Sequence, residues 1–411
     1  MRRVAVTGIG LVSPLGNHPA EAFANAHAGR SAVHLLDAPF AARLVAPLAA
    51  TAQFDAAVHF DPPKLRMLDR VGQFALFAAN QALADAHGAL GAALDRYRTG
   101  VFVGTGMGGS LTGDDGYRTL YGEGSDRIKP FTVLAGMHNA PAGWIGIEHD
   151  LRGPNLTYST ACSSSAVAIG EAWRRVAHGE LDLAIAGGAE APLSLGSLKA
   201  WEALHTLAAV DPADASASCR PFSKHRSGMV LGEGAAMLVL EPLDAALARG
   251  AAVHGEVIGY GLTTDTGHIT RPSTLGQAAA MRAALRSAGL DAAAIDAINA
   301  HGTGTVANDP VETAAIKAVF GAHAPAVPVS ATKAVHGHLL GAAGALECVL
   351  SLLAMQQRAL LPTMHLDVPD PACDLDHVPN AARNGVDVRT MLSNSFAFGG
   401  TNAVLVLRAA G

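Results

Sequence analysis

Half of the 411 residues are hydrophobic, only 16% are charged, and the formal net charge is −6. This is chain enough for one large domain or two ordinary ones, too apolar for disorder, and it lacks the basic excess of a nucleic-acid or anionic-membrane binder. Four scattered cysteines with no CxxC pair exclude a disulfide scaffold or zinc module and point to a reducing, cytoplasmic setting, while no apolar run reaches membrane-spanning length.

The basic start MRRVAVTGIGLVSPLG has too short and too glycine-broken an apolar stretch for a signal peptide, and Val4–Thr7 reads as a first strand. From there, β-branched runs alternate with alanine-rich helical stretches, the pattern of a layered α/β fold. Leu68–His87 has helical periodicity and ends near Gly88. Gly100–Val103 is a predicted strand leading into the glycine-rich turn Gly104–Gly109. Asn155–Thr160 is the next strand, followed by a helix over Ser163–His178 that Gly179 stops. Leu181–Ala186 and Ala236–Leu240 read as buried strands.

The second half replays the first. Val253–Tyr260 is a predicted strand and Gly276–Ser287 a helix; Ala297–Ala300 and Val327–Ser330 are strands, and a helix runs from Gly341 to about Met355. Leu392–Ser395 and Ala403–Leu407 close the chain. The order strand–YSTACSSS–helix matches strand–SATKAVHGH–helix, and FVGTGMGG matches NAHGTGT. This points to an internal duplication, with two pseudo-symmetric halves meeting face to face and a boundary near Ala251.

Four segments carry chemistry. Cys162 lies in TACSSS, between a strand and a helix N-terminus whose dipole favours thiolate, with small neighbours that leave room for a bulky group. A buried structural cysteine is an equal reading of that segment; Cys219, Cys348 and Cys373 have no such setting and read as structural. His301 opens HGTGT at a strand end, with the Thr303 and Thr305 hydroxyls able to bond a polar ligand; a satisfied histidine in a turn is the plainer reading. In TKAVHGHLLGAAG, Lys333 is placed to orient a neutral His338 and keep it unprotonated, with Glu347 near enough to pair with the lysine. His336 and His338 have ligand-like spacing, but no acid or cysteine follows at matching distance, so no metal is expected. NSFAFGGTN, over 394–402, is a glycine-hinged loop beside an apolar pocket or an ordinary β-turn. There is no GxxxxGK[ST] or GxSxG, and GTGMGG only half matches a dinucleotide fingerprint.

Together and in this order, these blocks resemble the β-ketoacyl-acyl carrier protein synthases, the elongating branch of the thiolase-fold condensing enzymes. The resemblance runs through VAVTGIGLVSPLG, TACSSS, RPFSKHRSGMVLGEGA, HGTGTVANDPVE, TKAVHGHLLGAAGALE and NSFAFGGTN, and covers essentially the whole chain. It implies a thiolase-like α/β fold of two layered αβαβα halves, residues 1–250 with the nucleophile and residues 251–411 with the histidines, lysine and gating loop. It implies decarboxylative condensation of an acyl-Cys162 intermediate with a malonyl carrier, in fatty acid or type II polyketide (aryl-polyene-like) elongation. By that resemblance His301 and His338 drive decarboxylation, Lys333 held by Glu347 orients His338, and Thr303 and Thr305 grip the phosphopantetheine arm. The N–H groups of Cys162 and Phe398 form the oxyanion hole. Phe398, with Phe396, Gly399 and Gly400, gates the acyl pocket, whose far end Met107 lines.

The same resemblance implies no metal and no dissociable cofactor, because the substrates ride on the phosphopantetheine of an acyl carrier protein. It also implies a homodimer, or a heterodimer with a chain-length-factor-like sister subunit. Ala331, Ala334, His336 and Ala397 depart from the family pattern, as do the segments Ala203–Cys219 and Met137–His149. The first segment lacks the arginines that normally meet the carrier, which leaves Lys64, Arg66 and Arg70 as a candidate basic patch and tilts the reading toward a specialised pathway. A thiolase would need a second cysteine near the C-terminus, and a non-catalytic partner would lack the nucleophile or a histidine; this chain fits neither.

Overall fold

The computed structural model describes residues 1–411. Ten strands form one mixed sheet: β1 Val4–Val12, β2 Thr99–Gly104, β3 Asn155–Tyr158, β4 Leu183–Glu190, β5 Gly234–Pro242, β6 Gly255–Thr264, β7 Ala297–Asn299, β8 Val329–Ser330, β9 Thr390–Phe396 and β10 Thr401–Ala409. Their spatial order is β8-β7-β9-β10-β6-β1-β5-β4-β2-β3. Read from each outer edge inward, the first half runs β3-β2-β4-β5-β1 and the second β8-β7-β9-β10-β6, the same order twice. The directions repeat too: β2 pairs parallel to β3 and β4, as β7 does to β8 and β9, and the next two pairings in each half are antiparallel. The halves join where Val4–Val6 of β1 meets Gly255–Val257 of β6, antiparallel.

Five helices complete the layers: α1 Arg70–Asp85, α2 Ser164–Ala177, α3 Thr274–Ala288, α4 Asn308–Phe320 and α5 Ala343–Gln356. The middle layer is α2 against α5. Val167, Ile169 and Trp173 of α2 share one apolar core with Leu346, Val349 and Leu350 of α5 and with residues of β1, β5, β6 and β10. Burying α5 on all sides explains why it is apolar nearly throughout, whereas α2 keeps Glu171, Arg174 and Arg175 on a solvent-facing side. No helix is long and apolar enough to cross a membrane.

The strands run further than the hydrophobic runs suggest. β1 continues to Val12 and β4 to Glu190, through glycines that read in sequence as stops. Those glycines exist for close approach: a Cβ on Gly10 would stand 2.2 Å from the Ala78 carbonyl oxygen of α1, and one on Gly261 2.2 Å from the Ala280 oxygen of α3. The GxG strand under an Ala-x3-Ala-x3-Ala helix is thus built twice, by Gly8 and Gly10 with Ala78, Ala82 and Ala86, and by Gly259 and Gly261 with Ala280, Ala284 and Ala288. Because the obstructing atoms are backbone, a helix must shift to admit one methyl. Gly10→Ala or Gly261→Ala is expected to cost about 1–3 kcal/mol in thermal or denaturant unfolding. Gly143→Ala, in the helix Ala140–His149 with nothing within 4 Å of the added carbon, is the control and should be neutral or slightly stabilising.

Candidate active site

Cys162 sits on a sharp elbow. After β3 the chain turns through Ala161, a non-glycine residue at φ +52°, into the short 3₁₀ turn Ala161–Ser163 and then α2. A left-handed φ costs an L-residue about 1–2 kcal/mol, and local hydrogen bonds hold it. Ser164 Oγ donates to the Ala161 carbonyl at 2.6 Å and accepts from the Thr160 N–H at 2.9 Å, and Ser163 Oγ donates to the Thr160 carbonyl at 2.9 Å. Ser165 Oγ accepts from the Ala345 N–H at 2.9 Å and so ties α2 to α5. The serines after Cys162 therefore brace the elbow. The duplication repeats the elbow: Leu340, at φ +44°, opens the 3₁₀ turn that leads into α5.

The second half supplies two histidines. His301 stands two residues beyond the end of β7, and its N–H and that of Gly302 donate to Glu312 at 2.8 and 2.9 Å. Glu312, on α4, also accepts from Asn308 and Asn394, so one buried carboxylate fixes the HGTGT turn to two neighbouring elements. His338 follows Gly337, whose φ is +68°. Its Nδ1 accepts from the Leu340 N–H at 3.2 Å, which leaves the ring proton on Nε2. That Nε2 is buried and has no partner within the protein.

Lys333 corrects one expectation. Its ammonium does not reach His338 but donates to the His301 carbonyl at 2.7 Å and lies 3.5 Å from His301 Nδ1. Its charge is met by Glu347, in a fully buried pair. The lysine therefore orients His301 and also places that ring's proton on Nε2, while its positive field acts on both rings. Burial first, and Lys333 second, push His301 and His338 well below the ordinary histidine range, so both are neutral donors. Burial pushes the Glu347 carboxyl up to about 7 against the pull of Lys333.

Cys162 differs from its sequence-based expectation too. Burial pushes its thiol up to about 12; Lys333 and the N–H groups of Phe398 and Cys162 pull the other way without prevailing. The resting group is a thiol, not the thiolate expected from the helix dipole alone. One ligand atom each from Cys162, His301 and His338 lies within 4.8 Å of the others. By composition the trio would suit a soft metal. Both Nδ1 atoms, however, face donors, and the Lys333 cation stands beside one of them, so the arrangement favours an anion held by two Nε2–H groups.

The trio opens on a cleft of about 300 Å³ lined by Thr303, Thr305, Phe396 and Phe398, among others. The threonine hydroxyls are 2.9 Å apart. In NSFAFGGTN, Ala397–Gly400 form the turn between the paired strands β9 and β10, and Gly399 and Gly400, each at φ +83°, follow Phe398, which packs in the apolar cluster with Cys162. Met107 lies outside the cleft but packs in one small apolar cluster with Cys162, Leu198, Leu340 and Phe398.

Residues 1–246 match the model of the β-ketoacyl synthase N-terminal domain and residues 254–367 that of the C-terminal domain. The chain belongs to the β-ketoacyl synthase family. It is 42% identical to 3-oxoacyl-[acyl-carrier-protein] synthase 2 of Coxiella burnetii over 99% of this chain and 98% of that one. A solved structure of a type II polyketide synthase acyl carrier protein in complex with its ketosynthase bound to the hexaketide aligns with a TM-score of 0.91 at 30% identity, over 100% of both chains. The ishigamide ketosynthase/chain length factor aligns with a TM-score of 0.91 at 35% identity, again over 100% of both.

Some parts of this β-ketoacyl synthase site escaped the sequence. Glu190, at the end of β4, is fully buried and accepts N–H groups from Gly106, Met107 and Gly341 at 2.6, 2.9 and 2.9 Å. It binds the Met107 turn of one half to the Leu340 elbow of the other, and burial pushes its carboxyl up to about 7. Glu190 and Glu312 look like surface acids in sequence; only the three-dimensional fold aims their carboxylates at backbone. The basic patch, conversely, is largely spent within the chain. Arg70 makes a two-pronged pair with Glu233 at 2.7 and 2.9 Å and Lys64 pairs with Glu148, which leaves only Arg66 of the three exposed and unpaired.

Proposed function

We propose that Cys162, His301 and His338 carry out the family's decarboxylative condensation, with a malonyl carrier protein as the two-carbon donor. The observation that supports this best is the pair of buried, neutral Nε2–H donors converging beside a cysteine sulfur. In the first step Cys162 sulfur bonds to the acyl carbon of an acyl carrier thioester, and the departing pantetheine sulfur leaves with the thiol proton. Malonyl carrier then enters. The carbon–carboxylate bond breaks, carbon dioxide leaves, and the electron pair moves to the thioester oxygen as an enolate held by the two Nε2–H groups. The enolate carbon attacks the acyl-Cys162 carbonyl, whose oxyanion is received by the N–H groups of Cys162 and Phe398. The carbon–sulfur bond breaks, Cys162 takes up a proton, and the product is a β-ketoacyl carrier two carbons longer.

Thr303 and Thr305, with hydroxyls facing the cleft, take the amide-bearing pantetheine arm in this reading. Residues 1–250 and 251–411 are the duplicated halves, one supplying the nucleophile and the other the donors, in a cytoplasmic enzyme. The partners are an acyl carrier protein and a second ketosynthase-type subunit. Tyr117, Tyr121, Val133, Leu134 and Ile147 stay exposed in the helical segment between β2 and β3, and β3 is an open sheet edge; together they make a surface suited to a two-fold partner. The test is intact mass after incubation with a panel of acyl carriers, from short saturated to aryl-unsaturated. Acylation of Cys162 by saturated chains assigns fatty acid elongation. Acylation only by unsaturated or aryl chains, or only with a sister subunit present, assigns a specialised polyketide pathway. No acylation under any condition overturns the nucleophile.

A further inference from the structure

Cys162 is covered by a hinged ring that leans on a fixed one. Phe398 packs in the apolar cluster around the sulfur, and Cys162 is only 5% exposed beneath that cluster. The ring of Trp201 stacks on Phe398, with centroids 6.0 Å apart and planes 24° from parallel. The two partners have different supports. Trp201 lies on the helix Leu195–Ala203, which is pinned at both ends. Ser194 Oγ caps it by accepting from the Ser197 N–H, and Asp114 accepts from the Gly196 N–H at 3.3 Å. Near its last turn Glu202 accepts from the Val45 N–H at 2.6 Å and pairs with Lys199. Phe398, by contrast, lies in a turn held by backbone bonds, from the Gly399 N–H to the Ile269 carbonyl at 2.7 Å and from the Asp265 N–H to the Gly400 carbonyl at 2.8 Å, and is followed by two glycines in the left-handed region, where the backbone turns at little cost.

We infer that Trp201 is a positioning residue that holds Phe398 closed over Cys162, and so sets how readily the nucleophile is uncovered for an incoming acyl group. This rests on the reading of Cys162 as the nucleophile. Cys162 meets the cleft with only 5% of its surface exposed, so a reagent or acyl chain gains full access to the sulfur by displacing the Phe398 ring, and displacing it breaks the stack. The stack stabilises the covered state alone, because Trp201 stays with its helix when Phe398 swings. Removing the indole therefore raises the uncovered population without changing the sulfur's own chemistry. Selectivity follows from the same balance. Acyl groups that gain little from the pocket fail to displace the ring pair, so discrimination between short and long chains should narrow when the indole is lost.

The test measures alkylation of Cys162 by iodoacetamide in the full chain, read by peptide mass. Trp201→Ala should react faster by about two- to ten-fold, the size of one aromatic pair, and Trp201→Phe should stay near the parent rate. In a Phe398→Leu background, where no stack exists, Trp201→Ala should add nothing. An unchanged rate in Trp201→Ala overturns the inference, and so does an equal acceleration in the Phe398→Leu background, which would mean that Trp201 acts other than through Phe398. If Trp201→Ala does not melt cooperatively, Trp201→Leu, apolar but unable to stack, makes the same comparison. Alkylation needs no carrier protein, so failure of the acyl panel above would remove the functional reading while leaving this result to stand or fall separately.

Discussion

Cys162→Ala is expected to abolish condensation, by more than about a thousandfold, while malonyl decarboxylation persists. In the proposed mechanism the two halves of the protein supply different parts of the chemistry. The elbow at Ala161 presents the sulfur, and nothing else within reach can hold an acyl group: Cys219, Cys348 and Cys373 are all buried. The Nε2–H donors of His301 and His338 depend on Glu312, on Lys333 with its partner Glu347, and on the Leu340 N–H, none of which involves the thiol. Removing the sulfur leaves the enolate site assembled. The measurement pairs carbon dioxide release from malonyl carrier with the mass of the carrier-bound product. Condensation retained in a folded Cys162→Ala protein would show that another group carries the acyl chain.

The architecture was legible because it is written twice. The matched order of strand, TACSSS and helix against strand, ATKAVHGH and helix survives in three dimensions as the repeated strand order and the two elbows at Ala161 and Leu340. Strand ends were less legible, because Gly8, Gly10, Gly187 and Gly188 look like breaks although they sit inside strands, where another backbone passes close by. The chemical groups were found by type and order, but their pairings were not. Sequence distance puts Lys333 nearer His338, yet the short helix Lys333–His336 and the turn at Gly337 carry the two side chains apart and bring the ammonium to His301, 32 residues away in sequence. Thiolate character at Cys162 follows from a helix N-terminus considered alone. Full burial of the sulfur, which only the assembled fold provides, reverses it. The same holds for Glu190, whose three N–H partners come from segments on either side of the duplication.

His338→Ala should lower decarboxylation by about a hundred- to a thousandfold, the usual consequence of losing one preorganised donor to a developing oxyanion, while acylation of Cys162 in a single turnover stays within a few-fold of the parent. The division follows from where the proton sits. His338 Nδ1 is occupied by the Leu340 N–H, so the ring offers the site a donor, not a base. In the proposed mechanism acyl transfer to Cys162 uses the N–H groups of Cys162 and Phe398 and asks nothing of that donor. Enolate formation asks for it directly, because burial first and Lys333 second keep the ring from supplying a full positive charge instead. His338→Gln, which can present an amide N–H, should recover part of the loss, whereas a residue serving only to fill space would respond alike to both substitutions. Single-turnover acylation followed by mass spectrometry, run beside carbon dioxide release on the same preparations, separates the two steps. If acylation falls with decarboxylation in a folded variant, His338 must instead take the thiol proton during acyl transfer, and the tautomer set by Leu340 would have to reverse in the working enzyme.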